Sequence, residues 1–177
     1  MRRSSWGRAA MPLAGMLSAC VAHADCKDFS WDAHQERAIF ASQPHTMQAG
    51  KAPAAAPLIQ PDHFYALQLA PQPQVQFEAP PGKSMLADGA YAGVVKFTVP
   101  QAGSYRVSLD LPFWIDVIAD GKLLPTQDFQ GSRCDGPHKM VEFVMPAHQQ
   151  LWLQFSGSTS PQVHVSITRA PATASAH

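Results

Sequence analysis

The sequence predicts a mainly β fold, an antiparallel β-sandwich or jelly roll of about eight or nine strands, preceded by one short N-terminal helix. Three observations carry this. From residue 63 onward, apolar and polar residues alternate with period two in run after run. The runs are short and separated by turn residues, of which the 177-residue chain has 16 Pro and 11 Gly. No helical pattern lies between the runs, which removes the parallel α/β folds.

Each element has its own signal. Residues 28–42 (DFSWDAHQERAIFAS) offer Asp28 or Ser30 as a helix cap and Trp31, Ala38, Ile39 and Phe40 as an apolar side. Residues 43–62 are rich in Pro and Ala without a period, and are expected to cross the surface as an irregular connection. Strands are expected over 63–70, 74–79, 93–99 and 104–111. In the last of these, Tyr105, Val107 and Leu109 face one way and Arg106, Ser108 and Asp110 the other. Strands 113–119 and 122–125 flank Asp120-Gly121, the strongest hairpin signal in the chain. Residues 126–138 read as a loop carrying Cys134. Strands over 140–145, 150–156 and 163–168 complete the set. The expected organisation is therefore an N-terminal helix and connection over 25–62, a sandwich over 63–170, and a disordered tail over 171–177.

Composition narrows the function classes. Charged residues make up 15% of the chain, below the usual quarter or so, and the formal net charge is zero. There is no basic excess to serve as a nucleic-acid footprint. No apolar run approaches the roughly 20 residues of a membrane-spanning helix.

Residues 1–24 (MRRSSWGRAAMPLAGMLSACVAHA) have a basic start, a short apolar stretch and a small-x-small site at Ala22-His23-Ala24, the order of a secretory signal peptide. Their removal takes three arginines away and leaves 153 residues, with ten basic side chains against 13 acidic, a charge of −3. Leu17-Ser18-Ala19-Cys20 also resembles a lipobox, in which Cys20 would be acylated and anchor the chain to a membrane. Both processing routes stay open. Either leaves Cys26 and Cys134, and an even pair in an oxidising compartment reads as a disulfide.

No assembled catalytic or metal site is legible. The histidines beyond the signal are His34, His45, His63, His138, His148, His164 and His177, with neither H-x-H nor H-x-x-x-H spacing among them. Taken singly each reads as a surface residue, and His164, between two valines, is expected to point to solvent. Cys134, His138 and Met140 resemble a cupredoxin ligand loop, but only Lys139 separates the last two and the disulfide would consume the first. An iron site could draw on His63, His138, His148 and Glu142, although positions 138 and 142 of one strand lie about 13 Å apart. No G-x-S-x-G elbow occurs. Catalytic and metal residues are accordingly assigned to none, and no cofactor is implied. The aromatics say more: Trp114, Trp152 and Tyr91, with Asp116 two positions from Trp114, are candidates to stack on a sugar or grip a peptide. The competing expectation is that both tryptophans are ordinary packing.

Between Gly93 and Arg169, the phrases FTVPQAGSYRVSLD, WIDVIADGKLLP and LQFSG resemble a family of small exported proteobacterial proteins. The order of an early FSW helix, a GxYRVSL strand, a WIDV-ADG hairpin and a late loop cysteine is similar as well. The layout is also similar to that of pre-peptidase C-terminal domains, non-catalytic sandwiches that accompany secreted enzymes. Some proteins of this small type are labelled homogentisate 1,2-dioxygenase, which would imply an iron enzyme that opens an aromatic ring. That enzyme family has a tight His/Glu/His site in a longer cytosolic chain with a cupin barrel, and no position here matches its motif.

The expected function is a non-enzymatic extracytoplasmic module, periplasmic, secreted or lipid-anchored at Cys20, which binds a carbohydrate, a peptide or an envelope protein. The alternatives are a metal-dependent oxidase or dioxygenase, and an accessory domain of a separate secreted enzyme.

Overall fold

The computed structural model describes residues 26–84 and 88–171. The signal segment, Cys20 and residues 172–177 of the expected tail lie outside the described residues. The elements are α1 (His34–Phe40), β1 (His45–Gln48), β2 (Tyr65–Gln68), β3 (Ala70–Pro71), β4 (Tyr91–Phe97), β5 (Gly103–Leu109), β6 (Trp114–Ala119), β7 (Lys122–Leu123), β8 (Thr126–Gly131), β9 (Lys139–Met145), β10 (Leu151–Ser158) and β11 (Gln162–Arg169). Two short 3-10 turns, Pro53–Ala55 and Gln72–Gln74, interrupt the connections.

The strands form a six-stranded sheet, β1-β2-β11-β5-β9-β8, and a five-stranded sheet, β3-β4-β10-β6-β7. Together they make the expected β-sandwich, with one short helix outside it. Neighbours run antiparallel except β1 and β2, which are parallel. Alternation fills the space between the sheets: Tyr105, Val107 and Leu109 from β5 meet Ile115 and Val117 from β6 and Leu151, Leu153 and Phe155 from β10. The hairpin between β6 and β7 turns on Asp120 and Gly121, both with positive φ (49° and 70°), as a type I′ turn requires.

Four expectations need correction, each for a physical reason. The helix is seven residues long and starts after Ala33, so neither Asp28 nor Ser30 caps it. Asp32 instead accepts a bond from the His34 amide at 3.0 Å. Its buried face carries Glu36 rather than a run of apolar residues, while Trp31 lies ahead of the helix and Ala38 is exposed. Within 43–62, β1 adds an edge strand whose four residues (HTMQ) bury almost nothing and so leave no period in the sequence. Residues 74–79 form no strand, because the Gln76 amide bonds the Lys51 carbonyl at 2.8 Å and the segment passes over the five-stranded sheet. Residues 126–131 are strand β8 rather than loop. An edge strand with one side open needs no apolar alternation, and β8 is exposed along nearly its whole length.

Straps of chain also cover the outer faces of both sheets. Residues 28–42 cross the six-stranded sheet, and residues 72–84 cross the five-stranded one. Polar side chains that would otherwise face water are therefore buried there: Arg106, Ser108, Ser166 and Thr168 under the first strap, Asp116, Gln154 and Ser156 under the second. A disulfide between Cys26 and Cys134, with Cα atoms 5.3 Å apart, ties the first strap to the β8–β9 connection.

Candidate functional site

Strand parity decides which candidate residues meet. In β6, Ile115, Val117 and Ala119 enter the core, so Trp114 and Asp116 lie on the outer face. In β10 the core residues are Leu151, Leu153 and Phe155, which puts Trp152 and Gln154 outside. The register sets Ser156 opposite Trp114, Gln154 opposite Asp116 and Trp152 opposite Ile118. Trp114 and Trp152 thus share a face, about 13 Å apart at the usual strand rise. Tyr91 has the parity of Val95 and Phe97 and packs against the core from the opposite face. It does not join them.

Asp116 works inside the protein. The residue is 6% exposed, and its carboxylate accepts bonds from the Trp114 indole nitrogen at 3.0 Å, the Gly82 amide at 3.1 Å and Gln154 Nε2 at 3.4 Å. Gln154 is fully buried and also donates to the Ala79 carbonyl at 3.0 Å. These bonds hold residues 79–82 over the sheet between the two tryptophans and fix the plane of the Trp114 indole. Trp152 is half-buried on the same face, and its indole nitrogen is buried without a hydrogen-bond partner among the described residues.

Trp114 borders a cleft. Its half-buried ring has Lys83 Nζ 5.7 Å from the centroid and Lys139 Nζ 5.9 Å from it. The two-residue β7 pairs only with Ile118 and Ala119 of β6, so on the side away from β10 the start of β6 is left without a partner strand. Opposite, β8 is the outermost strand of its sheet. Between them lies a cavity of about 170 Å³ lined by Trp114, Ile115, Thr126, Phe129, Lys139 and Val141. Phe129 is 66% exposed at its mouth. Sequence reasoning missed Phe129, Lys139 and Lys83. Phe129 had a weak signal, as a lone aromatic in the polar run TQDFQG. The lysines had none, because their nearness to Trp114 is tertiary.

Lys139 donates to the Phe113 carbonyl at 2.6 Å. Burial lowers its pKa from the ordinary 10.5, Lys83 lowers it further, and Asp116 acts in the opposite sense. The linkage has a definite sign. As pH rises through the depressed folded value toward 10.5, the folded chain releases this proton before the unfolded chain does, so stability from this group rises across that window. Lys139→Met is expected to remove that rise, so the wild-type urea midpoint should gain on that of the variant as the pH is raised toward 10.5. A difference independent of pH would contradict the assignment.

The histidine-rich alternative is dispersed. His138 precedes β9, His148 sits in the β9–β10 turn with φ of 57°, and Glu142 pairs with Arg106, its register partner on the neighbouring strand β5. Among the described residues no three His, Cys, Asp or Glu side chains come close enough to hold one metal ion. His164 is half-buried rather than free in solvent, with Nδ1 2.6 Å from Asp110 Oδ2. A wider hollow of about 600 Å³, lined by Trp31, Arg106, Asp128, Glu142 and Arg169 among others, lies on the six-stranded sheet. No described helix is long and apolar enough to cross a membrane. No known protein-family model matches the chain, and no curated protein matches it significantly.

Proposed function

We propose that this protein is a non-enzymatic binding module of the cell envelope that holds a segment of another polypeptide in the cleft between Trp114 and Phe129. The carrying observation is that cleft, an apolar cavity of about 170 Å³ at the open edge of the sandwich. Its size decides between ligand types. Small-molecule sites usually enclose roughly 300–1,000 Å³, so this one suits a single apolar side chain of a longer ligand. The outermost strand β8 runs along the cleft and offers a backbone edge for an added strand. Lys139 and Lys83 favour a carboxylate next to the apolar anchor.

Export supports the same reading. The basic-apolar-small order of residues 1–24 and a disulfide that persists in oxidising compartments both suit the periplasm or the cell exterior. Acylation at Cys20 would keep the module at a membrane surface, and a role beside a secreted enzyme fits the same cleft.

The test is selection of peptides from a displayed random library on the exported protein. Selected peptides are expected to share an apolar residue next to an acidic one. Phe129→Ser and Trp114→Ala should each weaken binding about tenfold or more, roughly 1.4 kcal/mol, as for a central interface anchor. The thermal midpoint of Phe129→Ser should hardly move, because that side chain is exposed. An unenriched library, or peptides indifferent to Phe129→Ser, would remove the proposal. Loss on Trp114→Ala alone, with binding to acidic oligosaccharides, would replace it with a sugar site on the indole face.

A further inference from the structure

Two histidines and a methionine meet at the edge of the six-stranded sheet formed by β1. Alternation along β1 puts His45 and Met47 on one side, and Met47 packs against the core, so that side is the inner one. The parallel register sets His45 opposite Tyr65, and His63 precedes Tyr65 by two residues. The rings form a triangle with centroid separations of 6.0 Å for His45–His63, 5.8 Å for His45–Tyr65 and 6.4 Å for His63–Tyr65. His45, Met47, His63 and Tyr65, with Leu58 and Gln60, line one open cavity of about 340 Å³.

We propose that His45, His63 and Met47 form a copper(I) site. The ring spacing fits. A metal about 2.0 Å from an imidazole nitrogen lies about 3.2 Å from the ring centroid, so two rings can share an ion at separations up to about 6.4 Å. The His45–His63 separation of 6.0 Å falls inside that limit. With one nitrogen of each ring aimed at a shared ion, that separation would set a nitrogen–metal–nitrogen angle of about 140°, between trigonal and linear.

One ligand is already oriented. His63 Nδ1 lies 2.9 Å from the Pro61 carbonyl oxygen, which can only accept. Nδ1 therefore carries the hydrogen, and in the neutral ring the lone pair is on Nε2, the arrangement in which a backbone carbonyl steadies a metal-binding imidazole. The chemistry of the set selects the metal. A thioether beside two imidazoles suits soft Cu(I), whereas Mg²⁺, Ca²⁺ and Mn²⁺ want carboxylate or carbonyl oxygens, and no carboxylate lines this cavity among the described residues. Leu58, 55% exposed at the rim, adds an apolar wall.

The test is an anaerobic titration of chelator-stripped, full-length exported protein against the Cu(I) complex of bicinchoninate. The expected result is withdrawal of one Cu(I) per chain. His45→Gln and His63→Gln should each weaken that uptake at least about tenfold. Met47→Leu should weaken Cu(I) uptake while leaving Zn(II) uptake unchanged, and His34→Gln should behave as wild type. Far-UV circular dichroism and thermal midpoints equal to wild type would separate ligand loss from misfolding. Failure of the wild type to withdraw Cu(I), or wild-type uptake by both histidine variants, would overturn the site. Tighter Zn(II) than Cu(I) uptake with no effect of Met47→Leu would overturn the copper assignment.

Discussion

Replacing Arg106 with methionine is expected to destabilise the fold by about 3–5 kcal/mol, the usual cost of leaving a buried charge without its partner. Arg106 projects from β5 into the layer between the six-stranded sheet and the N-terminal strap, where its side chain is only 7% exposed. Its guanidinium donates to the Asp32 carbonyl at 2.7 Å and to Glu142 Oε2 at 3.4 Å, lies 3.6 Å from Glu36 Oε1, and sits 4.6 Å over the Trp31 ring. Glu36 is 2% exposed and would keep only its 2.9 Å bond from the Thr168 hydroxyl. Glu36, the buried carboxylate, would then have no cation within ion-pair distance among the described residues.

The fate of Glu36 separates a charge effect from a packing effect. Glu36→Leu on the Arg106→Met background should recover part of the loss, because replacing both partners by apolar groups costs less than removing one. Urea midpoints for the two single variants and the double variant measure the coupling. If the double variant is merely the sum of the singles, the pair does no more than fill space.

Removing the disulfide by Cys26→Ser with Cys134→Ser is expected to cost a further 3–5 kcal/mol or so. The bond spans 108 positions, and in the chain-entropy account so long a loop constrains the unfolded state strongly. The loss should also be felt locally. Cys26 leads into the strap, and the Lys27 carbonyl beside it accepts from the Arg133 amide at 2.9 Å. Further along the strap, the Ser30 and Trp31 amides both donate to Gln130 Oε1, at 2.8 and 3.2 Å. Without the tether, the groups that hold Arg106 are ordered by non-covalent contacts alone, these bonds and the Thr168–Glu36 bond among them. The disulfide and Arg106 variants should therefore combine non-additively, with a smaller Arg106→Met effect in the tetherless chain. Additive midpoints would show that the strap stays docked without its covalent link. Amide exchange at Ser30 and Trp31 should rise in the serine variant well before global unfolding, and unchanged protection there would lead to the same conclusion.

The elements differ in how far the sequence alone determined them. Strands that bury one side show their period in the residues: Tyr105, Val107 and Leu109 in β5, and Leu151, Leu153 and Phe155 in β10, were legible because half of each strand must be apolar to close the core. Asp120-Gly121 was legible because a two-residue hairpin demands two positive φ values. The Cys26–Cys134 pairing was legible from the count of cysteines that remain once residues 1–24 are read as an export signal.

The elements that escaped were those held by backbone bonds or by contacts distant in sequence. β1 and β8 lie at sheet edges, where hydrogen bonding stabilises a strand without apolar alternation, so HTMQ and TQDFQG look like loop. The segment 74–79 alternates like a strand, yet it lies across a sheet face that Gln154 and Asp116 reach only after folding. For the site, the sequence marked Trp114 and Asp116, but only the tertiary structure covered the outer-face Asp116 carboxylate with residues 79–82 and made it a brace. It also separated Tyr91 from the tryptophans and brought Lys83, Lys139 and Phe129 around the cleft. Period and composition report what a strand buries, whereas a site depends on which strands become neighbours, and that is decided by the registers of the whole sandwich.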